Sequence, residues 1–109
     1  MLDVLREANK WRHIEWSQGN AISLSYRGNE LAGEVGEACN ILKKLDREQM
    51  GIVGSRASKD QLADELADVV ICVDLIAMDM SIDLAAAVRR KFNATSEKYG
   101  LKTRIGGGV

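Results

Sequence analysis

The chain reads as an all-α protein, a four-helix bundle whose core is completed by homo-oligomerisation. Three observations lead there. Proline is absent while Ala, Leu, Glu, Lys, Arg and Met are plentiful, a mix that favours helix over sheet. Apolar residues recur at three- and four-residue spacing in each long segment. One segment, Leu66 to Ala77, is apolar on nearly every side except at Asp68 and Asp74, as in a helix that is central or lies in a subunit interface. Three other helices in a chain of 109 residues cannot easily surround it, so a second copy is expected against it.

The first helix is expected from Asp3 to about Trp16, where Val4, Leu5, Ala8 and Trp11 or Ile14 form a ragged apolar stripe. Ser17-Gln18-Gly19-Asn20 then breaks it with a run of turn formers. The second helix runs from about Ser23 to Arg47, with Leu31, Val35, Ala38, Ile41, Leu42 and Leu45 on its inner face. Gly51 to Asp60 is polar and aperiodic and reads as a mobile loop. The third helix follows from about Asp60 to Met80. Ser81 or Asp83 can cap the fourth, which carries Leu84, Ala87, Val88, Phe92 and Tyr99 at helical spacing and stops at Gly100. Residues 1–105 make a single domain, and 106–109 are expected to be a disordered tail.

Charge narrows the function classes. Fifteen basic residues against sixteen acidic ones leave no global field, so neither a nucleic-acid polymer nor a membrane surface is an expected partner. Any anionic ligand has to be small and held locally. Cys39 and Cys72 fall in apolar helical stretches and read as buried free thiols in a reducing compartment. Met1 to Lys10 is charged throughout and lacks the apolar core of a signal peptide. The most apolar run, Val69 to Ile82, is interrupted by Asp74 and Asp79 and is too short to span a bilayer. A soluble, cytoplasmic protein is the expectation.

The chemistry is concentrated in two blocks, Glu34-Val-Gly-Glu37 and Glu65-Leu-Ala-Asp68. Spacing of i, i+3 puts each pair on one helix face. Two such faces turned together gather four carboxylates, which repel one another and resist burial unless a cation joins them. An all-oxygen site suits Mg²⁺ or Mn²⁺. Gly33 and Gly36 flank Glu34 where a helix interior prefers Ala by about 1 kcal/mol each, which suggests close approach of another backbone or of a ligand. A di-iron bundle needs histidines in Glu-x-x-His motifs, and the sole histidine, His13, is outside any. Cys39, Cys72 and His13 lack zinc-ligand spacing.

A Mg²⁺ site in a helical bundle points to phosphate oxygens, with one carboxylate taking a proton from an attacking water. Such chemistry also needs protein cations. Lys44 near the end of the second helix and Arg89, Lys91 and Lys98 on the fourth are the candidates; Lys91 and Lys98, seven apart, share a face.

With these residues in hand, the chain resembles the all-α nucleoside triphosphate pyrophosphohydrolases of the MazG type. The likeness runs from about Asn29 to Tyr99 and rests on the two acidic blocks with 27 residues between them, the continuation Glu65-Leu-Ala-Asp-Val-Val-Ile, and Ile82-Asp83-Leu84 followed by Lys91 and Lys98-Tyr99. The resemblance implies Mg²⁺-dependent hydrolysis of a nucleoside triphosphate to monophosphate and pyrophosphate. It implies Glu34, Glu37, Glu65 and Asp68 as metal ligands, with catalysis at Glu34 and Glu37, and Lys91 and Tyr99 as candidates for holding phosphates or sugar. It also implies a homodimer, often doubled to a homotetramer, with sites near subunit boundaries. The chain departs from the family pattern at Gly33, where many relatives carry a further Glu, and at Thr95, where many carry Asn; Glu30, one turn earlier, can stand in for the first in part. Base recognition falls to the N-terminal segment, where Trp16 can stack and His13 or Asn20 can add polar contacts; Trp11 and Trp16 read equally well as core or interface aromatics. The expected substrates are deoxynucleoside or non-standard nucleoside triphosphates, cleared from the nucleotide pool. The alternative is a non-catalytic helical module that senses nucleotides or docks another protein.

Overall fold

A computed structural model describes residues 1–106, which form four α-helices and no strand: α1 Leu2–Ser17, α2 Leu24–Met50, α3 Lys59–Asp79 and α4 Leu84–Lys98. Residues 107–109, most of the expected tail, lie outside the described residues.

Local capping chemistry marks out these helices. α1 ends where Gln18 and Gly19 take left-handed backbone angles, φ 50° and 82°. Ser23 opens α2 by accepting from the Tyr26 N–H at 3.0 Å. α2 runs one turn past its expected end at Arg47 and closes at Gly51, whose φ of 70° lets the Ile52 N–H donate to the Arg47 carbonyl at 3.1 Å. The following loop folds back on α2, with Arg47 Nη1 donating to the Ser55 carbonyl at 3.1 Å. Ser58 and Gln61 form a reciprocal capping box at the start of α3. Ser81 closes α3 rather than capping α4: at φ 54° it lets the Ile82 N–H reach the Ala77 carbonyl at 2.8 Å. Asp83 caps α4, accepting from the Ala86 N–H at 3.0 Å. Beyond α4 the chain is pinned by Asn93, which donates to the Ile105 carbonyl at 3.0 Å and accepts from the Ile105 N–H at 2.7 Å.

α3 is the hub: it packs along α2 and against α1, while α4 touches α1. α2 and α3 are antiparallel. As α2 passes from Arg27 through Glu30 to Glu37, its partners on α3 pass from Asp79 through Cys72 to Glu65.

Buried polar groups tie the helices together. Asp74, with no exposed surface, accepts from Arg6 Nη2 at 3.0 Å and from Asn9 Nδ2 at 2.9 Å, joining α3 to α1. Arg27, also buried, donates to Asp79 Oδ2 at 3.0 Å and to His13 Nδ1 at 3.0 Å, joining α2 to α3 and α1. Arg has no acceptor, so Nδ1 of His13 is the accepting nitrogen and its ring proton sits on Nε2. The interruptions of the apolar run at Asp74 and Asp79 are therefore interhelical ties.

The apolar core is correspondingly thin. Among the described residues Ala38, Cys72 and Ala77 are its buried members. The radius of gyration is 17.4 Å, against about 13 Å for a compact chain of this length. Several expectations of burial therefore fail within one chain. Val35 and Leu42 of the expected inner face of α2 are 42% and 46% exposed, and Leu66 and Val70 on α3 are similarly open. Cys39 is exposed, while Cys72 is buried as expected. Trp11 and Trp16 lie outside this thin core. A Cβ on Gly33 or Gly36 would meet nothing within 4 Å, so no backbone of the same chain explains these glycines. None of the described helices is long and apolar enough to cross a membrane.

Candidate functional site

The antiparallel register brings the two acidic blocks together. Glu34 and Glu37 on α2 and Glu65 on α3 place carboxylate oxygens within 4.8 Å of one another. Asp68, one turn from Glu65, is exposed and lies beside the trio, close enough for its charge to act on Glu34 and Glu65.

The electrostatics of the cluster are those of crowded acids. A hydrogen bond with Glu37, desolvation and the charges of Glu37, Asp68 and Glu34 push the Glu65 carboxyl up from 4.5 to about 7. Desolvation raises Glu34 too, followed by the charges of Glu37 and Asp68. Glu34 Oε2 and Glu65 Oε2 are shut away from water with no hydrogen-bond partner. Orphaned carboxylate oxygens cost free energy, which a proton or a hard divalent cation would relieve. The donor set fits Mg²⁺ or Mn²⁺, with three carboxylates converging and a fourth adjacent.

A second feature adjoins the cluster. One turn before Glu34, Glu30 lines a pocket of about 200 Å³ together with Asn9, Arg12, His13 and Trp16 from α1, Arg27 from α2 and Leu75 from α3. Its aromatic wall is built by Trp16, whose ring lies 5.9 Å from that of Tyr26 and 6.5 Å from that of His13. Cys72 donates to Glu30 Oε1 at 3.8 Å. Desolvation first, then the charges of Glu30 and Glu34, push that thiol up to about 11, so it stays protonated and acts as a donor.

The expected cations are placed differently. Lys44 is half-buried on α2, two turns past Glu37. Lys91, Lys98 and Tyr99 lie on or just after α4, which packs on α1, and among the described residues neither lysine pairs with a carboxylate of the α2–α3 cluster. Lys98 Nζ sits 5.4 Å from the centre of the exposed Tyr99 ring. Of the N-terminal candidates, Trp16 and His13 line the pocket, whereas Asn20 donates to the Ser17 carbonyl at 2.8 Å and closes the turn. Trp11 points elsewhere, its Nε1 donating to Glu7 at 3.1 Å.

Arg12 and Arg27 were not legible as pocket residues. Neither stands in a motif, and Arg27 is committed to partners 52 and 14 positions away in sequence. Glu30 carried one signal, its place a turn ahead of Glu34.

No family model and no solved structure matches the chain. Over 70 residues, 64% of the chain, it is 34% identical to the Gene 37 protein of Mycobacterium phage L5. The matched region spans 60% of that protein's length, so the likeness covers part of each chain.

Proposed function

We propose that this protein is a MazG-type nucleoside triphosphate pyrophosphohydrolase, which uses Mg²⁺ and water to convert a nucleoside triphosphate to monophosphate and pyrophosphate. The substrates are deoxynucleoside or non-standard nucleoside triphosphates, and the task is clearance of the nucleotide pool. The observation that carries this reading is the convergence of Glu34, Glu37 and Glu65, with two buried oxygens left without partners.

Glu34, Glu37, Glu65 and Asp68 would hold the metal, which when bound supplies positive charge to the phosphate oxygens. Glu34 or Glu37 accepts the proton of the attacking water, and crowding already raises the Glu34 carboxyl. Trp16 stacks on the base in the neighbouring pocket, one turn along α2 from the acids. Lys91, Lys98 and Tyr99 reach the phosphates from a second copy of the chain, in a homodimer or homotetramer. Support for that assembly comes from the half-exposed Leu66 and Val70 on α3, the open space over Gly33 and Gly36, and the thin core of one chain.

The test is Mg²⁺-dependent pyrophosphate release over a panel of ribo-, deoxyribo- and modified nucleoside triphosphates, with the monophosphate product identified. Release from a subset, abolished by EDTA, is the expected result. Absence of release by folded protein favours the non-catalytic helical module that senses nucleotides or docks a protein.

A further inference from the structure

We infer that Glu30 is the residue that selects the base, by accepting a hydrogen bond from an exocyclic amino group, so that the pocket prefers cytosine or adenine to uracil, thymine or hypoxanthine. This deepens the reading above and rests on its placement of the base beside Trp16.

The argument begins with volume. At about 200 Å³ the cavity is smaller than the 300 Å³ or so at which pockets for whole drug-sized ligands begin, so it takes one ring system rather than an entire nucleotide. Its location, one turn of α2 from Glu34, leaves the rest of the ligand to extend towards the acids.

The next step is to separate the polar groups already spent on the fold from those free to meet a ligand. Arg27 is committed to Asp79 and His13, and Asn9 to Asp74 and the Ile71 carbonyl. These two shape the wall. Glu30 gives Oε1 to the Cys72 thiol and keeps Oε2 without a donor from any described residue. Arg12 makes no hydrogen bond or ion pair with another described residue and stands at the same pocket.

An acceptor and a donor beside an aromatic face match a base edge that carries a donor next to an acceptor. Cytosine offers its N4 amine beside N3, and adenine its N6 amine beside N1; carboxylates characteristically accept from cytosine N4. Uracil and thymine place an O4 oxygen where the amine would be, and hypoxanthine an O6 oxygen. In that same pose each sets an oxygen against Glu30 and its ring N–H against Arg12, so pairing with Glu30 is recovered only if the base shifts along the pocket. Cys72 acts as a positioning residue. Its thiol, held protonated by burial, fixes Oε1 and so orients Oε2.

The experiment is isothermal calorimetry with dCMP against dUMP, and dAMP against dIMP, in Mg²⁺ buffer, on the full chain and on Glu30→Gln. Each pair differs in the amine, replaced by an oxygen, and in the proton this adds to the adjacent ring nitrogen. The full chain should bind the amino member about ten- to a hundredfold more tightly, and Glu30→Gln, which can still accept from Cys72, should cut that ratio to about threefold or less. Equal or undetectable affinities within each pair for the unaltered chain overturn the inference. So does a Glu30→Gln protein that weakens both members alike and keeps their ratio, because Glu30 then acts as part of the acid cluster. Binding is read without turnover, so selective binding with no pyrophosphate release keeps the base reading and removes the hydrolase.

Discussion

Carboxylate oxygens of Glu65 on α3 and Glu37 on α2 lie within 4.8 Å of one another across the helix interface, and this crowding pushes the Glu65 carboxyl up to about 7, so that it keeps its proton to higher pH. The folded protein therefore binds that proton more tightly than the unfolded chain, where an ordinary Glu titrates near 4.5. Its contribution to stability is fully present below about pH 4.5 and is lost as pH rises through about 7, and Glu34 shifts in the same direction. In EDTA, the melting temperature relative to that of Glu65→Gln should fall between pH 5 and 8, and Mg²⁺ should flatten the fall. A difference that grows with pH in EDTA would show that the carboxyls are not crowded as described.

The carboxylates should separate activity from folding. Glu37 and Asp68 are exposed and bury little on folding. Glu37→Gln and Asp68→Asn are each expected to lower pyrophosphate release by about a hundredfold or more while leaving the metal-free melting temperature at or above that of the unaltered chain. Near-normal turnover by either variant removes that residue from the site.

Trp16 supplies the pocket's aromatic face and is about half exposed, so its loss should cost binding more than stability. Trp16→Ala should raise KM by about ten- to a hundredfold, the size of one base-stacking contact, with a smaller change in kcat. An unchanged KM would move the base away from α1.

The tie between Arg6, Asn9 and Asp74 makes the opposite prediction. Asp74→Ala strips the partner from the buried Asn9 amide and from a guanidinium that keeps some contact with water. Chemical denaturation should show a loss of about 3 kcal/mol, the lower end for breaking a buried pair. A loss below about 1 kcal/mol would mean that the side chains find water instead.

Self-association can be read directly. Leu66 is 49% exposed and Val70 48% exposed on the hub helix, and burying the exposed half of such a side chain contributes about 1 kcal/mol. Sedimentation should give a multiple of 12.0 kDa for the unaltered chain, and Leu66→Glu should shift it towards the monomer. A monomer throughout would require α4 cations to act without a partner copy.

The elements themselves were legible from the residues because their causes are local. The absence of proline, the apolar spacing, Asp83 as a cap and Gly100 as a terminator act within one or two helical turns, so four helices could be placed within a few residues of where they lie. The acidic blocks were legible for the same reason: i, i+3 spacing on a helix is a one-face arrangement before any packing. Ser81 misled because a serine that can cap can also close a helix, and only the turn's geometry decides which. What the tertiary structure alone decided is which faces meet. Antiparallel packing of α2 on α3 set Glu37 against Glu65 and Glu30 against Cys72, and the crossing of α1 carried Trp16 and Arg12 to that same edge. Periodicity assigned Val35 and Leu42 to a core, yet a chain whose helices are tied by Arg6–Asp74 and Arg27–Asp79 leaves them open. Sequence period says that a face is apolar; what covers it depends on distances between residues far apart in the chain, which no local pattern encodes.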